Sequence, residues 1–284
     1  MVRPALNRGA ALVTAMLIAA LAAAIVATLA AGQAQWLRTV ELRRDRAQAQ
    51  AIVLAGLAWT RQVLQEDAQG APIDHLGEPW ALPLPPTPLE GGVVDGTIVD
   101  AQGRLDVNNL AGEGAEAQSA RERLARLFAQ AGLDARAADA LLPQGAPAEG
   151  VRFVRAAEIA AVDAIGEAGH ARVARYVTAL PAPAALNINT ALPEVLSAAL
   201  GGLTTDALAA LVAERARKPF GSLAEFRSRL PAGTRLATDA GLGVRSDFFL
   251  VTVRARQGAT LAQGRALLQR RARELPEVVW QSVE

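Results

Sequence analysis

Cysteine is absent from the 284 residues, and histidine occurs only at His75 and His170. The first absence excludes a disulfide framework, thiolate metal sites and a cysteine nucleophile, and leaves an extracytoplasmic location open. The two imidazoles stand far apart in sequence with no ligand-like neighbours, and read as ordinary surface or loop residues. Excess charge is missing too: Lys+Arg 29 against Asp+Glu 28 gives a formal net charge of +1, so no global field points towards nucleic acid or an acidic surface. Asp100, Asp106 and Asp134 have no His, Cys or Gly-rich phosphate loop beside them, and no Ser stands in a nucleophile elbow. The sequence therefore assigns no catalytic residue, no enzyme activity and no cofactor. What is plentiful is apolar: 51% of residues, ample for a buried core and incompatible with a disordered chain.

Much of that apolar content lies at the start. From Ala10 to Ala31 no side chain is charged. A cleaved export signal has an apolar region of about 7 to 15 residues, and although A-x-A triplets occur in this run, its length suits a membrane span better. Arg3 and Arg8 favour a cytoplasmic N-terminus, whereas Arg38, Arg43, Arg44 and Arg46 follow the span against the positive-inside rule. The short tail cannot hold a domain, so the bulk is expected outside. Beyond the span at 10–35, Trp36, Val40, Ala47, Ala51, Leu54 and Ala58 recur at threes, fours and sevens, which predicts an amphipathic continuation over 36–66 lying on a soluble domain. One helix from Ala10 to Gln65 would be about 80 Å long.

The rest of the chain reads as α+β. A Pro-rich connector spans 67–92, with "EPWALPLPPTPLEGG" at its heart; "VVDGTIVDAQGRLDVNNL" predicts a strand pair turning near Ala101 to Gly103. Strands over 93–110 and 244–284 flank an all-helical insertion over 111–243. Within it, Thr190 is a natural N-cap, with Val195, Leu196, Ala199 and Leu200 facing inward and Gly201 and Gly202 ending the helix. Leu208, Leu211 and Val212 belong to a second helix, and Ser222 with Glu225 form a capping box. The pair around the Gly turn, within 186–231, resembles a helix-hairpin-helix module, so a membrane-anchored DNA-binding protein of competence type is the rival reading. Five basic and four acidic side chains from Leu186 to Pro231, with Asp206 beside the turn, oppose it, because phosphate binding needs a cationic surface.

"RG" directly before "AALVTAMLIAALAAAIVATLA" resembles the leader junction of type IV pilins and pseudopilins. The resemblance implies a leader at 1–9, prepilin peptidase cleavage between Gly9 and Ala10, and a methylated Ala10 at the new terminus. Most members carry Glu at the fifth mature position; here it is Thr14. That departure, with "GRLDVNNLAG", "RYVTALPAPAALNINTALPEVLSAAL", "RKPFGSLAEFRSRL" and "GVRSDFFLV" in order, resembles the K-type minor pseudopilin family of type II secretion systems. The resemblance implies a pilin-like fold, its long N-terminal helix packed on a small antiparallel sheet interrupted by the insertion. It further implies a pseudopilus-tip subunit in the inner membrane with a periplasmic C-terminal domain, I- and J-type minor pseudopilins as partners, contact with secreted proteins, and no nucleic acid. Members often bind calcium in the insertion. The comparable stretch, "DALLPQGAPAEGVRFV", offers only Asp139 and Glu149. An ion that takes about six to eight oxygens needs more, so no metal is expected.

Overall fold

The computed structural model describes residues 8–89, 91–110, 114–142, 153–230, 240–271 and 274–284. Helix α1, Arg8–Gly70, is 63 residues long, about 95 Å at the helical rise. Every residue from Ala10 to Arg44 is exposed. Past that point Ala49, Val53, Leu57, Thr60 and Leu64 are buried on one side. The spacing of three and four residues puts them in one stripe. It is not the predicted stripe: Trp36, Val40, Ala47, Ala51, Leu54 and Ala58 are exposed throughout. At about 100° per residue these lie on the opposite side of the helix. The Ala-rich helix is apolar on two faces, and only the sheet's shape selects one.

That sheet has five antiparallel strands in the order β1-β2-β7-β8-β9: β1 Leu84–Leu89, β2 Gly92–Asp100, β7 Phe248–Gln257, β8 Thr260–Arg271 and β9 Glu274–Val283. Helix and sheet meet at two glycines. A Cβ on Gly56 would come 2.8 Å from Val253, and one on Gly264 2.3 Å from Val53. The Pro-rich stretch is more than a connector. Trp80, in a 3-10 turn at Pro79–Ala81, is buried edge-on to Phe249 with ring centroids 5.1 Å apart. The following "LPPTPL" forms β1 at the sheet edge, where prolines lacking an N–H are tolerated.

Strands β2 and β7 pair without interruption from Gly92↔Gln257 to Asp100↔Phe249. The chain therefore leaves the sheet at Asp100 and rejoins it one strand over, and the excursion is longer than the predicted 111–243. The turn expected at Ala101 to Gly103 is present as a 3-10 turn, capped by Asp100, which accepts from the Gln102 N–H at 2.7 Å, but the strands on either side of it do not pair with each other. The next strand, β3 Leu105–Asp106, runs parallel to β4 Val177–Thr178 inside the excursion; β5 Leu186–Asn187 and β6 Leu242–Gly243 make a second two-residue pair. Among the described residues the remaining regular elements there are helical: α2 Ala115–Gln130, α3 Gly166–Val173, α4 Pro193–Leu200, α5 Thr205–Arg217 and α6 Leu223–Ser228, with 3-10 segments at Ala135–Leu141 and Ala156–Ala161. They enclose a core of their own around Phe128, Ile159, Phe220 and Phe226, separate from the helix–sheet core.

Candidate functional site

The Gly9–Ala10 junction lies inside α1, and Thr14 one turn further on is exposed. Its hydroxyl donates to the carbonyls of Ala10 and Ala11, both at 3.0 Å, so it is satisfied within its own helix. Around it Leu12, Met16, Leu17, Leu21 and Ile25 are more than half exposed. This segment is long and apolar enough to cross a membrane. Higher up, α1 and the sheet edge enclose an apolar groove of about 630 Å³, lined by Ile52, Gly56, Trp59, Leu82, Leu84 and Ile98 among others. Trp59 is 55% exposed and Leu82 67%. The upper half of α1 is thus clasped on one side and uncovered on the other.

Where the excursion joins the sheet, a buried polar network replaces apolar packing. Arg270 on β8 donates from Nη1 to Asp67 at 2.8 Å and from Nη2 to both oxygens of Asp74 at 2.6 Å. Asp74 also accepts from the Ser246 N–H at 2.7 Å. Asp100 accepts from the hydroxyls of Ser246, at 2.6 Å, and Thr190, at 2.5 Å, and from the Asn187 amide at 3.0 Å. Burial still pushes the Asp100 carboxyl up to about 6. Asp67, Asp74 and Glu78 lie close enough to hold a cation, but the Arg270 guanidinium is already seated on the two aspartates, and the arrangement reads as an ion-pair clasp.

The recognised segments are what build this region. Asn187 ties β5 to Asp74, Asp100 and Ser246; Asn189 brackets Phe220, accepting from its N–H at 2.9 Å and donating to its carbonyl at 3.0 Å. Asn108 does the same to Phe153, at 3.1 and 2.8 Å. Thr190 is not the predicted N-cap. Leu192 holds that position, and the Thr190 hydroxyl is drawn to Asp100, a buried carboxylate that needs donors. The Ser222–Glu225 cap is present, with the Glu225 carboxylate reaching the Gly221 N–H at 2.9 Å. Polar side chains alternating with Leu186 and Ile188 were the available signal for such clasps.

Helices α4 and α5 meet at 118° around Gly201 and Gly202, both at positive φ. The hairpin is engaged in packing: Arg126 donates to the Ala198 carbonyl at 2.6 Å, and buried Arg215 donates to the carbonyls of Ile188 and Ala191, each at 2.8 Å. Asp206 is exposed in the first turn of α5. Of the aspartates weighed for chemistry, Asp100 and Asp106 are buried in separate hydrogen-bonded settings, and Asp134 caps a 3-10 turn through the Arg136 N–H at 2.9 Å. His75 accepts from the Gly77 N–H at 3.0 Å, and His170 lies in the last turn of α3. Asp139 is exposed, and Glu149 lies outside the described residues.

A helix long and apolar enough to cross a membrane, bare below and laid on an antiparallel sheet above, is the architecture of the pilin class. Residues 186–245, running from β5 through the hairpin to the edge of β7, match the model of the family described as Type II secretion system (T2SS), protein K. A Type II secretion system protein K of Pseudomonas aeruginosa is 31% identical over 268 residues, covering 83% of this chain and 79% of the relative. One from Pectobacterium carotovorum subsp. carotovorum is 27% identical over 302 residues, covering 92% of each. The fold matches a chain in the crystal structure of the GspK-GspI-GspJ complex from enterotoxigenic Escherichia coli, with TM-score 0.70 and 19% identity, over 86% of this chain and 99% of that one. The chain belongs to the type II secretion system protein K family. It is a minor pseudopilin of that system.

Proposed function

We propose that this subunit sits at the tip of the periplasmic pseudopilus and supports export of folded proteins across the outer membrane. Prepilin peptidase removes residues 1–9, and the helix from Ala10 then anchors the chain once in the inner membrane. The exposed stripe Trp36, Val40, Ala47, Ala51, Leu54 and Ala58 carries this reading. It is apolar, faces away from the sheet and continues the span, so other helices can pack along it without disturbing the fold. The chain of like fold was crystallised in a GspK-GspI-GspJ complex, which supports I- and J-type subunits as partners; the stripe is the surface this reading assigns to them. The chain works through shape and packing, with no reaction assigned to it.

Because cysteine is absent, single-cysteine variants report contacts cleanly. Ala51→Cys and Ala58→Cys are expected to crosslink in cells to other minor pseudopilins, while a cysteine at exposed Arg217, on α5, does not. Equal crosslinking from all three positions sinks the interface. Mass spectrometry of the mature protein is expected to begin at Ala10, and Gly9→Val to leave the precursor uncut.

A further inference from the structure

The face of the sheet turned away from α1 holds a second cavity, of about 390 Å³, between β2, β7, β8 and β9 on one side and the excursion on the other. Three guanidinium groups line it: Arg104 just before β3, Arg155 before the Ala156–Ala161 turn, and Arg265 on β8. Among the described residues none of the three has a carboxylate within ion-pair distance. Arg155 lies over the Trp280 ring, 4.9 Å from its centroid, and Arg265 donates to the Gln263 amide oxygen at 2.7 and 2.9 Å, with that amide turned to receive it. Glu284 also lines the cavity but forms no ion pair with them, and the nearby Glu158 carboxylate is committed to the N–H groups of Val154 and Arg155. Three guanidinium groups on one cavity make it attractive to an anionic oxygen. Most of the remaining lining is apolar, with Val99 39% and Val154 57% exposed, and Thr178, Thr252 and Ser282 add hydroxyls.

We propose that this cavity docks an acidic segment of a protein partner, with a carboxylate against Arg104, Arg155 and Arg265 and an apolar side chain against Val99, Leu250 and Trp280. The mixed lining favours a peptide over a free inorganic anion, which would leave the apolar part unfilled. A lipid headgroup is out of reach. The β7–β8 turn meets α1 at Asp45, about ten residues or 15 Å of helix beyond the expected span, and the cavity lies further along β7, at Leu250 to Thr252. The cavity also stays open when helices pack along α1, since it lies on the other face of the sheet.

The test uses the full chain in detergent and a fluorescein-labelled peptide of alternating glutamate and phenylalanine, followed by fluorescence anisotropy. Binding is expected at low salt, weaker at high salt, and weaker still for the peptide with glutamine in place of glutamate. Arg155→Glu and Arg265→Glu, both at exposed positions, are each expected to weaken it about tenfold. Arg217→Glu, remote on α5, should leave it unchanged. Thermal midpoints of the variants confirm folding, and any variant that unfolds is replaced by its glutamine counterpart at the same position. The proposal is overturned if the peptide does not bind, if the glutamine peptide binds equally, if Arg217→Glu weakens binding as much as the cavity variants, or if sulfate or anionic vesicles compete as well at equal charge.

Discussion

Asp106 shows what one buried side chain demands of this fold. Its Oδ1 accepts from the N–H groups of Asn108, at 3.0 Å, and Leu180, at 3.1 Å, while Oδ2 has no partner among the described residues. Burial outweighs those two bonds and pushes its carboxyl up to about 7. Asp67 rises to about 6: burial comes first, Glu78 adds to it, and the attraction of Arg270 offsets only part despite the 2.8 Å ion pair. For Asp67, Asp100 and Asp106 the folded pKa exceeds the unfolded 3.8. Their contribution to stability is therefore complete below about pH 4 and is lost as pH rises through about 6 to 7. The thermal midpoint is expected to be higher near pH 5 than near pH 8. Asp106→Asn keeps the Oδ1 acceptor and removes the charge, so it should raise the midpoint near pH 8 and flatten part of the profile. A profile unchanged by the substitution would disprove the assignment. Arg270→Met should cost about 3–5 kcal/mol in denaturant titrations, since it leaves Asp67 and Asp74 buried without their cation.

At the scale of elements, the contact of α1 with the sheet rests on closeness. Gly264→Val would drive a branched side chain into Val53, already 2.3 Å from where a Cβ would stand. Either the helix lifts or the strand bends, at about 1–3 kcal/mol by the usual cost of overpacking. Chemical denaturation should show that loss, whereas Ala58→Val on the free stripe should leave stability unchanged within about 0.5 kcal/mol. The helix itself was legible from composition, because a long run without proline leaves little else for it to be. Which face it buries was not. Ala47, Ala51, Leu54 and Ala58 and Ala49, Val53, Leu57 and Leu64 are equally good apolar stripes on paper, and Gly56 and Gly264 decide between them only by meeting partners far along the chain.

For the whole molecule, the open question is one of position. An ordinary subunit of the class is expected to offer a buried Glu to the free terminal amine of a neighbour, because an unpaired charge in an apolar setting is costly. Thr14 offers none, and its hydroxyl is already spent on Ala10 and Ala11. The excursion, with its own core, adds bulk at the end of the sheet where β2 ends and β7 begins. A subunit with nothing stacked above it fits both facts. Thr14→Glu is therefore expected neither to raise secretion nor to let the chain spread along the shaft, measured by secreted-protein yield and by crosslinking. Recovery of this chain repeated through the filament would contradict a tip position.

The sequence by itself determined the apolar anchor, the absence of disulfide and thiolate chemistry, the α+β order and the family, because runs, absences and quoted motifs are local properties. The hairpin end was legible for the same reason: Gly201, Gly202 and the Ser222–Glu225 cap act within a few residues of themselves. Only the tertiary structure decided which stripe of α1 is covered, that Thr190 serves Asp100 instead of capping α4, that Arg270 closes on Asp67 and Asp74, and that Arg104, Arg155 and Arg265 share one cavity. Each of those outcomes joins groups from tens to about two hundred residues apart, and what settles them is desolvation and steric fit between elements, neither of which exists until the elements have met.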